Sequence, residues 1–129
     1  MPIVTQLAIS LRNEPGALAE LCSELAKLAV NISAIYASEA KPTGLVRLLV
    51  SHPDVARRVC DELRLPCVEE RVVATTVAER PGALGKLTRK LAEKGINIEY
   101  LYGSIEKGSK RALLVFGVSD AEGAARVLK

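Results

Sequence analysis

Asn13-Glu14-Pro15-Gly16-Ala17-Leu18 and Glu79-Arg80-Pro81-Gly82-Ala83-Leu84 are two versions of one hexapeptide in a chain of 129 residues. At the same offset Asn31-Ile32 is matched by Asn97-Ile98, and Tyr36 by Tyr102. The match is best where a special backbone conformation or a packed side chain is needed, which marks a duplicated structural unit. Upstream of the first copy, Leu7, Ile9 and Leu11 alternate at period two, as on a strand with one apolar face. Pro15 suits the first turn of a helix, where its missing N–H is not needed. Leu18, Leu21, Leu25 and Leu28 then recur every three or four residues, predicting an amphipathic helix that ends near Ala29.

The remaining segments follow the same logic. Ile32–Ser38 reads as a second strand, Lys41-Pro42-Thr43-Gly44 as a turn, and Leu45–Val50 as a central strand, because it is apolar on both faces. Ser51 or Asp54 would cap a second helix with Val55, Val59, Cys60 and Leu63 on its buried side, stopped by Pro66. The second copy repeats the order: strand Val72–Val77, a helix marked by Leu84, Leu87 and Leu91 with Gly95 at its end, strand Ile96–Ile105, turn Lys107-Gly108-Ser109, strand Ala112–Val118 and a short helix Asp120–Leu128. The stretch Cys67–Ala78 between the copies is one long strand or two strands parted by a kink. The expected fold is α+β: two ferredoxin-like βαββαβ units in tandem, residues 1–70 and 71–129, with antiparallel sheets and helices on one face. The second unit lacks its last strand, so its sheet edge needs a neighbour or is left open.

Composition bounds the function. Hydrophobic residues make up 49% of the chain, yet its aromatics are only Phe116, Tyr36, Tyr100 and Tyr102, so aliphatic side chains fill the interior. A net charge of +3 with basic and acidic residues interspersed argues against a nucleic-acid partner, and Arg57-Arg58 and Lys110-Arg111 read as solvated spots. Val46, Leu48, Leu114 and Phe116, where an RNA-binding sheet would place aromatics beside basic residues, look like core. No signal peptide or membrane span is evident, and the expectation is a cytoplasmic protein. Cys22, Cys60 and Cys67 follow no metal-ligand spacing and read as reduced, buried thiols, with Cys60–Cys67 the pair to check for a bridge. The single histidine, His52, beside Pro53, reads as a turn residue. Without a second histidine, a nucleophile motif or a phosphate loop, catalysis finds no support, and no cofactor is expected. Glu39, Glu99 and Glu106 are on or beside strands, but their spacing alone makes no acid–base pair.

The doubled pattern of strand, Pro-Gly-Ala-Leu helix start and Asn-Ile strand start resembles ACT domains, small-molecule regulatory modules that mostly sense amino acids. In that family, ligand contacts come from the loop before and through the helix start and from the Asn-Ile step of a paired unit. Carried over, the resemblance implies a site drawn from Asn13, Glu14, Pro15, Gly16, Ala17, Leu18, Asn31 and Ile32, and from Glu79, Arg80, Gly82, Ala83, Leu84, Asn97 and Ile98. Elementary chemistry fits this. A helix start presents unpaired N–H groups to a carboxylate, glycine admits a ligand close to the backbone, and Asn both donates and accepts. Each residue also has a plainer reading: Gly16 and Gly82 make a tight turn, Asn13 caps a helix, Asn31 and Asn97 satisfy turns, and Glu79 and Arg80 are solvated. Asn13 against Glu79 makes the two sites unequal. Some serine-binding relatives carry His where this chain has Leu11.

The resemblance implies a non-catalytic amino-acid sensor with ligand at the interface of paired ACT units, within a chain or across a homodimer. The alternative is the regulatory subunit of a partner enzyme in amino-acid biosynthesis. Asn13-Glu14-Pro15-Gly16 and the following helix are similar to the start of the acetolactate synthase small subunit, although the second half of that family is not a clear copy of its first.

Overall fold

A computed structural model describes residues 3–38, 43–105 and 108–128. Glu39, Glu106, Lys41-Pro42 and Lys107 of the expected strands and turns lie outside the described residues. The elements in order are β1 (Ile3–Arg12), α1 (Ala17–Lys27), β2 (Ile32–Ser38), β3 (Thr43–Val50), α2 (Pro53–Glu62), β4 (Cys67–Ala78), α3 (Ala83–Glu93), β5 (Ile98–Ile105), β6 (Arg111–Val118) and α4 (Ala121–Val127). Cys67–Ala78 is one continuous strand. The chain divides into two compact units, Thr5–Glu70 and Arg71–Lys129, the latter together with Met1–Val4.

In the N-terminal unit, β3 lies between β2 and β1 and is antiparallel to both, which agrees with its two apolar faces. Cys67–Glu70 of β4 follows β1 on its other side, and the Ser10 N–H donates to the Pro66 carbonyl at 3.0 Å. Period two on β1 and β3 sends Leu7, Ile9, Leu11, Val46 and Leu48 to one face. There they meet Leu21 and Leu25 of α1 and Ala56, Val59 and Cys60 of α2 in one buried cluster. Each fully buried leucine is worth roughly 1.5–3 kcal/mol relative to exposure. On the opposite face Gln6 is 0% exposed, and its Nε2 donates to Glu70 Oε1 at 2.9 Å. The same carboxylate oxygen takes Arg47 Nε at 3.2 Å, and the guanidinium lies 6.0 Å from the Tyr36 ring centre.

The C-terminal unit repeats the plan. β6 lies between β5 and β4, antiparallel to both. Val73, Leu114, Phe116, Leu91, Ile96, Ala124 and Leu128 form its core. No strand follows α4 among the described residues. Ile3 and Val4, the first described residues of β1, belong to this unit, and Ile3 packs on its core. The sheet edge left without a strand of its own therefore receives Ile3 and Val4 of β1. On the helix-free face, the positions of Gln6, Arg47 and Tyr36 are taken by Val72, Val115 and Tyr102. The polar chain of the first unit has apolar residues in its place, and Val72 and Val115 are fully buried.

Three helix ends share one device. The N–H of Val30 bonds the Leu25 carbonyl and that of Ala29 the Ala26 carbonyl; Leu65–Cys60 with Arg64–Asp61, and Ile96–Leu91 with Gly95–Ala92, do the same. These are Schellman turns, which need a left-handed residue just past the cap. Gly95 supplies it at φ 70°, as its place in the sequence predicts. Ala29 and Arg64 occupy the same position at φ 59° and 58°, a conformation that costs a non-glycine residue roughly 1–2 kcal/mol. The turn also delays β5 to Ile98, two residues after the expected start, because the Ile96 N–H still closes α3.

Candidate ligand-binding site at the helix starts

The Pro-Gly steps are turns ahead of the helices, not their first turns. The Ala17 N–H bonds the Glu14 carbonyl at 3.4 Å and the Ala83 N–H bonds Arg80 at 3.2 Å. Gly16 (φ 90°, ψ −15°) and Gly82 (φ 88°, ψ −14°) hold the third position of these turns. That is type II geometry, which places Pro second and demands positive φ third, so Pro15-Gly16 and Pro81-Gly82 are the residues it selects. Gly16 and Gly82 are also the N-caps of α1 and α3, and neither helix has a side-chain cap. Asn13 therefore does not cap α1. With the Ala17 and Ala83 N–H groups closing the turns, it is the next main-chain N–H groups, those of Leu18 and Ala19 in α1 and of Leu84 and Gly85 in α3, that are left to whatever approaches them. A Cβ built on either glycine meets nothing within 4 Å, so the space over the turn is open.

In the N-terminal unit two hollows flank this turn. One, about 570 Å³, is lined by Leu11, Arg12, Glu14, Pro15, Gly16, Ala17, Glu20 and Leu21, and by Leu63, Arg64 and Leu65 from beyond α2. The other, about 400 Å³, lies between Asn13, Leu18 and the sheet residues Ala37, Ser38, Gly44 and Val46. The larger hollow has both signs of charge on its rim, Arg12 and Arg64 against Glu14 and Glu20, and leucines on its wall. In the second copy, Arg12, Glu14 and Glu20 are replaced by Ala78, Arg80 and Lys86. The mixed-charge lining belongs to the N-terminal unit alone, and the inequality read from Asn13 against Glu79 extends to three further positions.

The structure does not bring all the expected residues together. Asn13–Leu18 sit where β1 ends and α1 begins, whereas Asn31-Ile32 sit past the far end of α1. Eleven helical residues separate the two groups by about 16 Å. Asn97 and Ile98 are at the corresponding far end of α3, away from Glu79, Arg80 and Gly82–Leu84. Each Asn is fixed through its backbone: the Asn31 N–H donates to Ser51 Oγ at 2.9 Å while its carbonyl accepts the Ser51 N–H, and Asn97 is held by Ser119 in the same way. The carboxamides of Asn13, Asn31 and Asn97 are exposed, with no hydrogen bond among the described residues.

Ser51 and Ser119 hold equivalent places in the two units, each a serine just before a helix. Ser51 is no cap: the N-cap position of α2 is His52, which makes no side-chain cap hydrogen bond, and the Ser51 hydroxyl is engaged by Asn31 and by His52 Nδ1 at 2.9 Å. Asp54 is inside the helix, whereas Asp120 does cap α4 through the Gly123 N–H. Of the solvated basic spots, Arg57 pairs with Glu69 at 2.6 Å and Arg111 with Thr76. Among the described residues, no three His, Cys, Asp or Glu gather to hold a metal, and no helix is long and apolar enough to cross a membrane.

Comparison with known proteins agrees with this architecture. The family model of the ACT domain pair matches residues 2–129. Protein BT0572 from Bacteroides thetaiotaomicron is 32% identical, with a TM-score of 0.91 over 98% of this chain and 86% of that one. The regulatory subunit of aspartate kinase from Thermus thermophilus shares the fold at 17% identity, with a TM-score of 0.68 over 95% of this chain and 89% of that one. That from Thermus flavus does so at 16% and 0.64 over 99% and 95%. No curated protein matches the chain. With its tandem ferredoxin-like units and a family match across practically its whole length, this chain belongs to the ACT domain pair family.

Proposed function

We propose that this protein is a non-catalytic regulator that binds an amino acid at the α1 start of its N-terminal unit. The observation that carries the reading is the uncapped helix start at Gly16 beside a hollow with a zwitterion's complement of charges. A ligand carboxylate takes the helix N–H groups and Arg12 or Arg64, and its ammonium takes Glu14 or Glu20. Leu11, Leu21, Leu63 and Leu65 receive an aliphatic side chain. The hollow falls within the usual range of roughly 300–1,000 Å³ for small-molecule sites. Because Asn31 lies at the far end of α1, the Asn-Ile step reaches this ligand only from another unit. The proposed working form pairs such units, within the chain or across a homodimer, in an arrangement that shifts with ligand.

Isothermal titration of the full chain against the twenty amino acids tests this. Saturable heat from at least one, with an aliphatic one strongest, is expected; no heat from any of them in folded protein overturns the sensing role. A second reading, a subunit that regulates a biosynthetic enzyme, draws on the similar extent and fold of the Thermus thermophilus aspartate kinase regulatory subunit. The doubled sequence separates this chain from the acetolactate synthase small subunit, whose halves are unlike. Stable co-purification with an enzyme from the native source distinguishes a subunit from a free sensor.

A further inference from the structure

Cys60 and Cys67 take no part in the proposed site. Cys60 lies in the last turn of α2, fully buried in the N-terminal core; Cys67 opens β4, half-buried against the same cluster. The Schellman turn between them folds tightly back, with the Leu65 N–H on the Cys60 carbonyl at 2.8 Å and the Pro66 carbonyl held by Ser10 at 3.0 Å. The turn brings Cys67 back against the cluster that contains Cys60, and the two thiols influence each other's ionisation. Burial pushes Cys60 up to about 12. Burial raises Cys67 too, while the neighbouring Cys60 thiol and the Arg57 guanidinium act against that rise. Of the two, Cys67 is both the more exposed and the better placed to ionise.

We propose that Cys60 and Cys67 form a dithiol modification site, closed to an intrachain disulfide by low-molecular-weight disulfides. The Cys67 thiolate attacks one sulfur of the oxidant; a protein–oxidant S–S bond forms, the oxidant's own S–S bond breaks, and a thiolate leaves. Cys60 then gives its proton to solvent base and attacks Cys67 Sγ, expelling the second oxidant thiolate. Two protein thiols lose two electrons and two protons, and one small disulfide is reduced to two thiols. Because both thiols are held protonated, the rate rises roughly tenfold per pH unit through the neutral range. The bridge spans Leu63, Arg64 and Leu65, which line the hollow beside Gly16, so it fixes that wall. The chemistry does not depend on what the hollow binds.

The test is incubation of the folded full chain with oxidised glutathione near neutral and at mildly alkaline pH, read by intact mass and peptide mapping. A loss of about 2 Da with residues 60 and 67 linked, faster at the higher pH, is expected in the wild type and in Cys22→Ser. Cys60→Ser should stop at a glutathione adduct on Cys67. The wild-type measurement decides even if that variant folds poorly. Three free thiols after alkaline incubation, a persistent wild-type adduct on Cys67, or a bridge through Cys22 overturns the proposal.

Discussion

Phe116→Ala is expected to lower the stability of the protein by about 3–5 kcal/mol, the range for removing a large aromatic from a core that cannot collapse. Phe116 is the largest fully buried side chain, on the central strand β6, with Val73 opposite in register and Leu91, Ile96, Ala124 and Leu128 in the same cluster. No other Phe and no Trp is present to refill the volume. A whole domain is stable by only about 5–15 kcal/mol, so the loss is a large share of the total. Urea denaturation measures it: a large fall in midpoint with an unchanged slope is predicted, and a change under 1 kcal/mol would show that Phe116 does not hold this core together.

Gly117→Leu is expected to cost about 1–3 kcal/mol, and Tyr100→Ala in the same chain is expected to recover part of that loss. A Cβ at Gly117 falls 2.2 Å from the Tyr100 ring, which covers the glycine across the β5–β6 pair. The matching pair in the N-terminal unit is Ala34 opposite Leu49. The two copies thus fill one place on the sheet with opposite assignments of large and small. The double variant transplants the arrangement of the first unit into the second. Thermal or urea melts of the four proteins of the cycle measure the coupling; strictly additive changes would mean that the two positions do not share one volume.

That exchange shows what the sequence could and could not disclose. Period-two residues such as Leu7, Ile9 and Leu11, the leucine spacing of α1, and the apolar run of β3 made the elements and the strand-helix order legible, because each is a local property. The Tyr100–Gly117 compensation was not legible, since it depends on cross-strand register. The same is true of Ser51 and Ser119, whose partners Asn31 and Asn97 lie two strands away along the chain. Pro15 alone reads as the first turn of the helix, whereas the tight turn that the sequence also offers for Gly16 is the one found: its positive φ makes Pro15-Gly16 a type II turn. The proposed site was partly legible. Its loop was visible in the repeat, while Arg64, Leu63 and Leu65 reach the hollow only because the end of α2 folds back beside α1.

The most direct test of the account is amide chemical-shift mapping of the full chain with the amino acid that gives the strongest heat. The account predicts the largest changes at the N–H groups of Gly16, Ala17 and Leu18, with weaker ones at Arg12 and at Leu63–Leu65. Perturbations centred instead on Gly82–Leu84, or absent from both helix starts, would contradict it.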